Sequence, residues 1–176
     1  VPQAAQPVAV AGIAALSRRR PLVVAMPTAA DAERLWSDLA AFMPADGLEL
    51  FPAWETLPFE RVSPSIETMG RRLRTLWRLR TGDPTLQVVV ATARALVQRL
   101  GPHVEDAEPI LLGAGDQVDA SALIESLVTA GYRREYQVEH RGEIAVRGSI
   151  IDVFPSTAAA PVRIDLWGDE IERLCE

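Results

Sequence analysis

Four arginines in the last third of the chain lie on neighbouring predicted strands or on the turns between them. They are Arg133, Arg134, Arg141 and Arg147. A guanidinium group can pair with a carboxylate through two N–H groups while its stem packs on apolar surface. The pattern therefore predicts a docking surface for an acidic protein, and this requires Arg134 and Arg147 to point to the same side. The alternative for each arginine is an ordinary solvated strand face.

Phe154 follows the same strands and precedes Pro155. It is either an apolar anchor at the centre of the arginine surface or a core aromatic residue, and the sequence leaves both readings open. Trp36 and Trp77 fall at apolar positions of predicted helices and are expected in the core. Trp54, in a proline-rich segment, is either a cap on a sheet edge or a stacking surface for bases.

The opening of the chain has the place of a phosphate-binding loop without its residues. Such a loop uses glycine for close backbone approach, lysine for the phosphate charge and a hydroxyl group for Mg²⁺. Here Ala5 stands at the second glycine, Gln6 at the lysine and Pro7 at the hydroxyl residue. Pro7 also lacks an N–H donor. The segment is either an ordinary helix start or a degenerate nucleotide site, and both readings predict no ATP hydrolysis.

The composition excludes several kinds of chemistry. The 176 residues carry a formal net charge of −6, which disfavours an evenly basic nucleic-acid binder. All 18 basic residues are arginine, so lysine chemistry is absent. The single Cys175 and the distant His103 and His140 predict neither a disulfide nor a metal site. No apolar run has the length of a membrane span and no signal peptide is recognisable, so we expect a cytoplasmic protein.

Strands and helices alternate in the first part of the chain, which is typical of a parallel sheet covered by helices. The predicted helices are 9–16, 29–42, 66–80 and 93–100, and the predicted strands are 21–26, 48–51 and 86–91. Helix 66–80 is expected to turn its apolar residues to the core and its arginines to solvent, as a possible DNA-binding surface. The apolar residues are Met69, Leu73, Leu76 and Leu79, and the arginines are Arg71, Arg72, Arg74 and Arg78.

The pattern changes at Gly101-Pro102, which predicts two domains, 1–101 and 102–176. The second domain reads as a strand at 108–112, a helix at 119–130 with Asp119 as its N-cap, and then consecutive strands. Those strands are predicted at 134–139, 143–146, 149–154, 162–167 and 170–174. Consecutive strands after one helix indicate a small antiparallel α+β domain.

Three blocks of sequence resemble bacterial transcription-repair coupling factors. The first is Phe51-Pro52-Ala53-Trp54-Glu55-Thr56-Leu57-Pro58-Phe59-Glu60 with Ser63-Pro64. The second comprises Gly131-Tyr132-Arg133, Arg141-Gly142-Glu143 and Arg147-Gly148-Ser149-Ile150-Ile151-Asp152-Val153-Phe154-Pro155, and it is also similar to UvrB. The third is Trp167-Gly168-Asp169-Glu170-Ile171-Glu172-Arg173-Leu174. The resemblance implies a helicase-like α/β domain with a degenerate phosphate loop, interrupted by an inserted α+β domain that binds the repair protein UvrA.

The same resemblance implies a non-catalytic module that recruits UvrA and links stalled RNA polymerase to nucleotide excision repair. Arg134 and Arg147 match UvrA-contacting arginines of the UvrB-like pattern, Arg133 is usual in coupling factors, and Ala145 replaces a further UvrB arginine. No cofactor is implied for this segment. ATP, Mg²⁺, DNA and RNA polymerase would be bound by other domains of the full-length protein.

An ATP- and DNA-binding fragment of UvrB is the alternative. The missing phosphate-loop residues argue against it. So does the short segment between Phe51 and Ile66, where UvrB carries a long aromatic hairpin.

Overall fold

Three apolar strands form a parallel sheet in the first unit of the computed structural model, Val1–Glu108. They are β1 (Leu22–Met26), β2 (Leu48–Phe51) and β3 (Val88–Thr92), arranged in the order β1-β3-β2. In this register Val88 pairs with Leu22 on one side and with Leu48 on the other. Every residue of β3 is buried, as expected for the central strand of a parallel sheet with helices on both faces.

Four helices flank this sheet: α1 (Gln6–Leu16), α2 (Ala29–Leu39), α3 (Ile66–Thr81) and α4 (Ala93–Val97). The first two pack over one face, where Leu35 and Leu39 meet Leu50 and Val90. Hydroxyl side chains cap three helices, because Thr28, Ser65 and Thr92 each accept a hydrogen bond from a backbone N–H of the first turn. The predicted elements of this unit are therefore confirmed, with helices α2 and α4 shorter at their C-terminal ends.

The residues aligned with a phosphate loop adopt helical structure. A 3₁₀ turn spans Gln3–Ala5 and runs directly into α1, so that Ala5 is the N-cap and Pro7 lies in the first helical turn. This arrangement fits an ordinary helix start. The degenerate nucleotide site stays a prediction.

Helix α3 buries two of the arginines that its sequence predicts to face solvent. Arg72, Thr75 and Arg78 are buried, whereas Leu79 is exposed and Leu76 alone of the predicted apolar stripe packs in the second core of the unit. The cause is the strand beneath, because β2 presents the carboxylate of Glu49 and the ring of Phe51 to this helix. An arginine side chain can pair with the carboxylate and stack on the ring, whereas a leucine side chain can only pack against the ring.

The second unit, Pro109–Glu176, contains one helix and a five-stranded sheet. Helix α5 (Ala120–Thr129) begins at Asp119, whose carboxylate accepts hydrogen bonds from the backbone N–H groups of Ser121 and Ala122. The strands, in spatial order, are β4 (Arg133–Arg134), β5 (Glu143–Arg147), β6 (Ile150–Val153), β7 (Val162–Trp167) and β8 (Glu170–Cys175). All neighbours are antiparallel except β4 and β5, which are parallel.

Two predictions for this unit are corrected. The expected strand at 108–112 is irregular chain, and the strand expected at 134–139 is reduced to two residues at the sheet edge. The two units also divide between Glu108 and Pro109, later than the predicted boundary at Gly101-Pro102.

The structure describes residues 2–56, 63–101, 104 and 108–176. His103 and the Leu57–Glu60 part of the first resembling block lie outside these residues. Within them, no helix combines the length and apolarity needed to cross a membrane.

Candidate functional site

The sheet of the second unit has one face that packs on helix α5 and an opposite face whose residues range from buried to exposed. Helix α5 covers the first face, which we call the core face, where Leu123 and Leu127 pack on Ile144, Ile151 and Ile164. The residues between these point away from the helix, because side chains alternate along a strand. We call that second surface the outer face. It carries Glu143, Ala145, Arg147, Ile150, Asp152, Phe154, Arg163, Asp165, Trp167 and Arg173.

The register separates the two neighbouring arginines of β4. Arg133 pairs with Glu143 and therefore lies on the outer face, whereas Arg134 pairs with Ile144 and lies on the core-face side of the sheet edge. Arg147 is on the outer face, four residues along β5 from Glu143. The expectation that Arg134 and Arg147 share one surface is therefore wrong. Arg133 and Arg147 are the pair that the fold brings to one side.

Arg147 is exposed at the end of β5 and is held by Tyr136. Its Nη2 donates a hydrogen bond of 3.0 Å to the carbonyl oxygen of Tyr136, and its guanidinium carbon lies 5.2 Å from the centroid of the Tyr136 ring. Among the residues that the structure describes, Arg147 has no carboxylate within ion-pair distance. Most of its five N–H donors therefore remain available to a partner, while its position is fixed in advance.

The other arginines of the outer face are paired within the sheet. Arg163 donates to both carboxylate oxygens of Asp152 at 2.7 and 3.0 Å, and Arg173 makes two hydrogen bonds of 3.1 and 2.7 Å to one oxygen of Asp165. The hydrogen bond from Arg163 lowers the pKa of Asp152, and the charge of Arg147 contributes in the same direction. These cross-strand pairs neutralise the middle of the outer face.

Glu143 organises the opposite end of the outer face. Its buried carboxylate accepts hydrogen bonds from the backbone N–H groups of Glu139 and His140, at 2.9 and 2.8 Å, and these bonds lower its pKa. Arg133 approaches the same carboxylate at 3.4 Å with a side chain that is 69% exposed. This long contact leaves the Arg133 guanidinium largely in solvent.

Phe154 lies on the outer face and not in the core of the unit. It is half-buried, and the guanidinium carbon of Arg141 lies 5.5 Å from its ring centroid. Arg141 is held in turn by a hydrogen bond of 2.8 Å from its Nε to the carbonyl oxygen of Ala158. Phe154 is therefore not a residue of the α5-covered core, and its role as an apolar anchor stays a prediction.

Sequence reasoning missed Tyr136 and Trp167 as parts of this surface. Their side chains are 89% and 80% exposed. Tyr136 follows an edge strand that was predicted too long, so its position was assigned to a strand interior. For Trp167 a signal existed, because it alternates with Ile164 and Leu166 in a strand whose core-facing positions are already filled.

Two of the four arginines of α3, Arg72 and Arg78, are buried, so the four do not form one exposed surface. Arg78 donates to Glu49 and Asp83 at 2.7 and 2.6 Å, and Arg74 pairs with Glu49 at 2.9 Å. Arg72 is 1% exposed and lies between two aromatic rings, with its guanidinium carbon 4.2 Å from the centroid of Phe51 and 4.4 Å from that of Trp54. Trp54 therefore contacts an internal cation, and the DNA-binding alternative stays a prediction.

A cleft of about 520 Å³ in the first unit lies between α2 and α3, at the carboxyl end of β2. Its described lining includes Glu33, Glu55 and Glu67 against the single cation Arg71, which pairs with Glu67, so the balance of charge disfavours phosphate groups. Glu55 is tied to Ser65 and Thr68 by hydrogen bonds. In the described parts of both units, no group of three or more His, Cys, Asp or Glu side chains is arranged to hold a metal ion.

Comparison with known proteins gives the same family for both units. Residues 110–176 match the family model of the UvrB interaction domain. Transcription-repair-coupling factors are similar over most of the chain: the protein from Mycobacterium bovis is 42% identical over 165 residues, or 91% of this chain. The proteins from Escherichia coli and Staphylococcus aureus are 34% and 33% identical over 88% and 81% of this chain. The chain spans only 12–13% of the length of these relatives.

Proposed function

The chain is a relative of the transcription-repair-coupling factors and carries a UvrB interaction domain at 110–176, and from this premise we propose that it is a recruiting module for UvrA. In this proposal the outer face of the second unit is the contact surface. Arg147 is its principal cation, Arg133 a second one, and Phe154 with Arg141 an apolar anchor. The module does no chemistry itself, and RNA polymerase, DNA and ATP are bound by other parts of a longer protein.

One observation carries the proposal. Arg163 and Arg173 on the outer face are paired with carboxylates inside the sheet, whereas Arg147 is fixed by Tyr136 and has no acidic partner among the described residues. An exposed, pre-positioned guanidinium group is suited to a carboxylate on another protein. The alternative, an ATP- and DNA-binding fragment of UvrB, is disfavoured because the arginines of α3 are buried or paired and the cleft of the first unit is acidic.

The proposal is tested by titrating the chain with purified UvrA. Arg147→Ala is expected to raise Kd roughly thirtyfold, since removal of one member of a desolvated charge pair costs about 2 kcal/mol or more. Arg134→Ala is the matched control, because it removes the same charge from the same domain on the other side of the sheet. We expect Arg134→Ala to leave Kd unchanged within about twofold.

The two variants separate the possible results. Equal weakening by both changes would indicate a general effect of charge and would contradict the assignment of the outer face. An unchanged Kd for Arg147→Ala would remove Arg147 from the interface, and no binding by the parent chain would reject UvrA as the partner.

A further inference from the structure

Trp167 is an exposed tryptophan on the outer face, next to the ion pairs Arg163–Asp152 and Arg173–Asp165. Its side chain is 80% exposed, although the neighbouring residues Ile164 and Leu166 of the same strand are buried. A single exposed apolar residue is common in soluble proteins and requires no partner. The position of Trp167 relative to Arg147 is what distinguishes it.

Trp167 and Arg147 lie at the same end of the outer face. Arg147 is opposite Ile150 on β6, and Ile150 is opposite Asp165 on β7, two residues before Trp167. Two strand spacings across the sheet and two residues along β7 give a separation of roughly 12 Å between the two positions. The turn Gly148-Ser149 and the turn Gly168-Asp169 bound this end, and Ile150 lies between the two side chains.

The hairpin that carries Trp167 is firmly held. Trp167 is paired with Glu170 across the turn, where Gly168 adopts the positive φ of 63° that the tight connection needs. The preceding segment of the chain adds further bonds, from Val118 N–H to the carbonyl of Asp169 and from Ile171 N–H to the carbonyl of Asp116. Burial of Trp167 by a partner would therefore cost little backbone entropy of this hairpin.

Three features coincide at this end of the sheet: an exposed indole on a firmly held hairpin, an arginine without an acidic partner among the described residues, and the exposed ring of Tyr136 beside that arginine. Tryptophan, tyrosine and arginine are the residues that dominate the binding energy of protein interfaces. We propose that Trp167 is a second anchor of the docking surface, inserted into an apolar cleft of the same protein whose carboxylate pairs with Arg147. This inference rests on the proposed function, because it takes UvrA as the protein that provides both groups.

The test compares Trp167→Ala with Leu111→Ala in titrations against purified UvrA. Leu111 is a matched control, because it is 75% exposed, lies in the same unit and is likewise truncated to alanine. Both side chains are exposed, so neither variant should change the thermal unfolding of the chain. We expect Trp167→Ala to weaken binding about tenfold or more, and Leu111→Ala to change Kd by less than about twofold.

A direct measure of burial comes from ¹⁹F NMR of the chain labelled with 5-fluorotryptophan. The chain has four tryptophans, and Trp167→Phe assigns the resonance of Trp167. Addition of unlabelled UvrA is expected to shift this resonance and to remove its sensitivity to exchange of H₂O for D₂O. The resonances of Trp36, Trp54 and Trp77 serve as internal references.

The results distinguish this inference from the proposed function. If Arg147→Ala weakens binding while Trp167→Ala behaves like Leu111→Ala and its resonance stays solvent-sensitive, the second anchor is rejected and UvrA binding stands. Equal weakening by Trp167→Ala and Leu111→Ala would indicate nonspecific apolar adhesion and would also reject it. No binding by the parent chain rejects both proposals.

Discussion

Arg78 uses all three nitrogens of its guanidinium group inside the first unit. Nε donates to Asp83, Nη1 to Glu49, and Nη2 to Thr85 and the carbonyl oxygen of Asp46. Arg147 in the second unit makes one such hydrogen bond and is otherwise open to solvent. The two residues have the same side chain. The number of hydrogen-bond acceptors within reach of each guanidinium group decides whether it stabilises the fold or remains available for a partner.

Residue type and local sequence could not distinguish these two roles. Arg78 lies on a helix and Arg147 at a strand end, and both are followed or preceded by apolar residues. The acceptors of Arg78 come from β2 and from the turn after α3, so they become visible only once the sheet and the helix are packed together. Which of the predicted arginines lie on the outer face depends on the strand register.

The carboxylate of Asp83 makes the stability of the first unit depend on pH. Hydrogen bonds from Thr85 and then from Arg78 lower the pKa of Asp83 from 3.8 to about 2. A lowered pKa in the folded state means that this stabilisation is complete above about pH 4 and is lost as the pH falls towards 2. The free energy of unfolding of this unit is therefore expected to decrease over that interval, and less steeply in Asp83→Asn.

Urea unfolding at a series of pH values between about 2 and 5 tests this expectation. The background variant Trp167→Phe leaves Trp36, Trp54 and Trp77 as the fluorescent residues, and all three belong to the first unit. Thr28 and Arg34 likewise lower the pKa of Asp31, so Asp31→Asn is a useful comparison for a carboxylate on α2. Parallel pH profiles for the parent and Asp83→Asn would contradict the role of Asp83.

Helix α3 shows where element-level reasoning succeeds and where it fails. The bounds of the helix were predicted to within one residue, because Ser65 caps its start and Gly82 ends it in the left-handed conformation. Its buried face was predicted only in part, because the periodicity rule counts arginine as a polar residue that points to solvent. The rule takes no account of neighbouring elements, and here β2 places the Glu49 carboxylate and the Phe51 ring against the helix.

Arg72 on α3 is expected to be sensitive to a change that keeps its charge. Its planar group lies between the rings of Phe51 and Trp54, and its Nη1 donates to the carbonyl oxygen of Pro52 at 2.6 Å. A lysine ammonium group cannot stack between two rings in this way. Arg72→Lys should therefore lower the free energy of unfolding by about 1–2 kcal/mol and shift the emission of Trp54 to longer wavelength.

Arg80→Lys is the matched control, because it makes the same substitution on the same helix at an exposed position that pairs with Glu108. It should change stability by less than about 0.5 kcal/mol. Chemical denaturation of the two variants and the parent, followed by tryptophan fluorescence, provides the comparison. Similar stabilities for Arg72→Lys and Arg80→Lys would show that the stacked geometry contributes nothing beyond charge.

At the scale of the whole chain, the change from alternating helices and strands to consecutive strands predicted two different architectures, and this is confirmed. The parallel sheet of the first unit and the largely antiparallel sheet of the second follow from that pattern. The sequence alone does not predict which of Arg133 and Arg134 lies on the outer face, because a shift of β4 by one residue would exchange them. The pairing of β4 with β5 decides which of the two residues faces outward.

Each unit has its own apolar core, and this predicts that the second unit is sufficient for docking. Ile144, Ile151, Ile164 and Ile171 are at most 3% exposed, and they pack with Leu123 and Leu127 of α5 without residues of the first unit. The excised fragment 109–176 is therefore expected to fold cooperatively, although a domain of this size is only marginally stable. Arg133, Arg141, Arg147, Phe154 and Trp167 are all contained in it.

We expect this fragment to bind UvrA with a Kd within about threefold of that of the whole chain, because the contact surface does not include the first unit. Circular dichroism during thermal unfolding establishes whether the fragment is folded, and calorimetric titration gives its Kd. Arg147→Ala should weaken the binding of the fragment by the same factor as that of the whole chain. A folded fragment that binds UvrA more than about tenfold more weakly would show that residues of the first unit contribute to the interface.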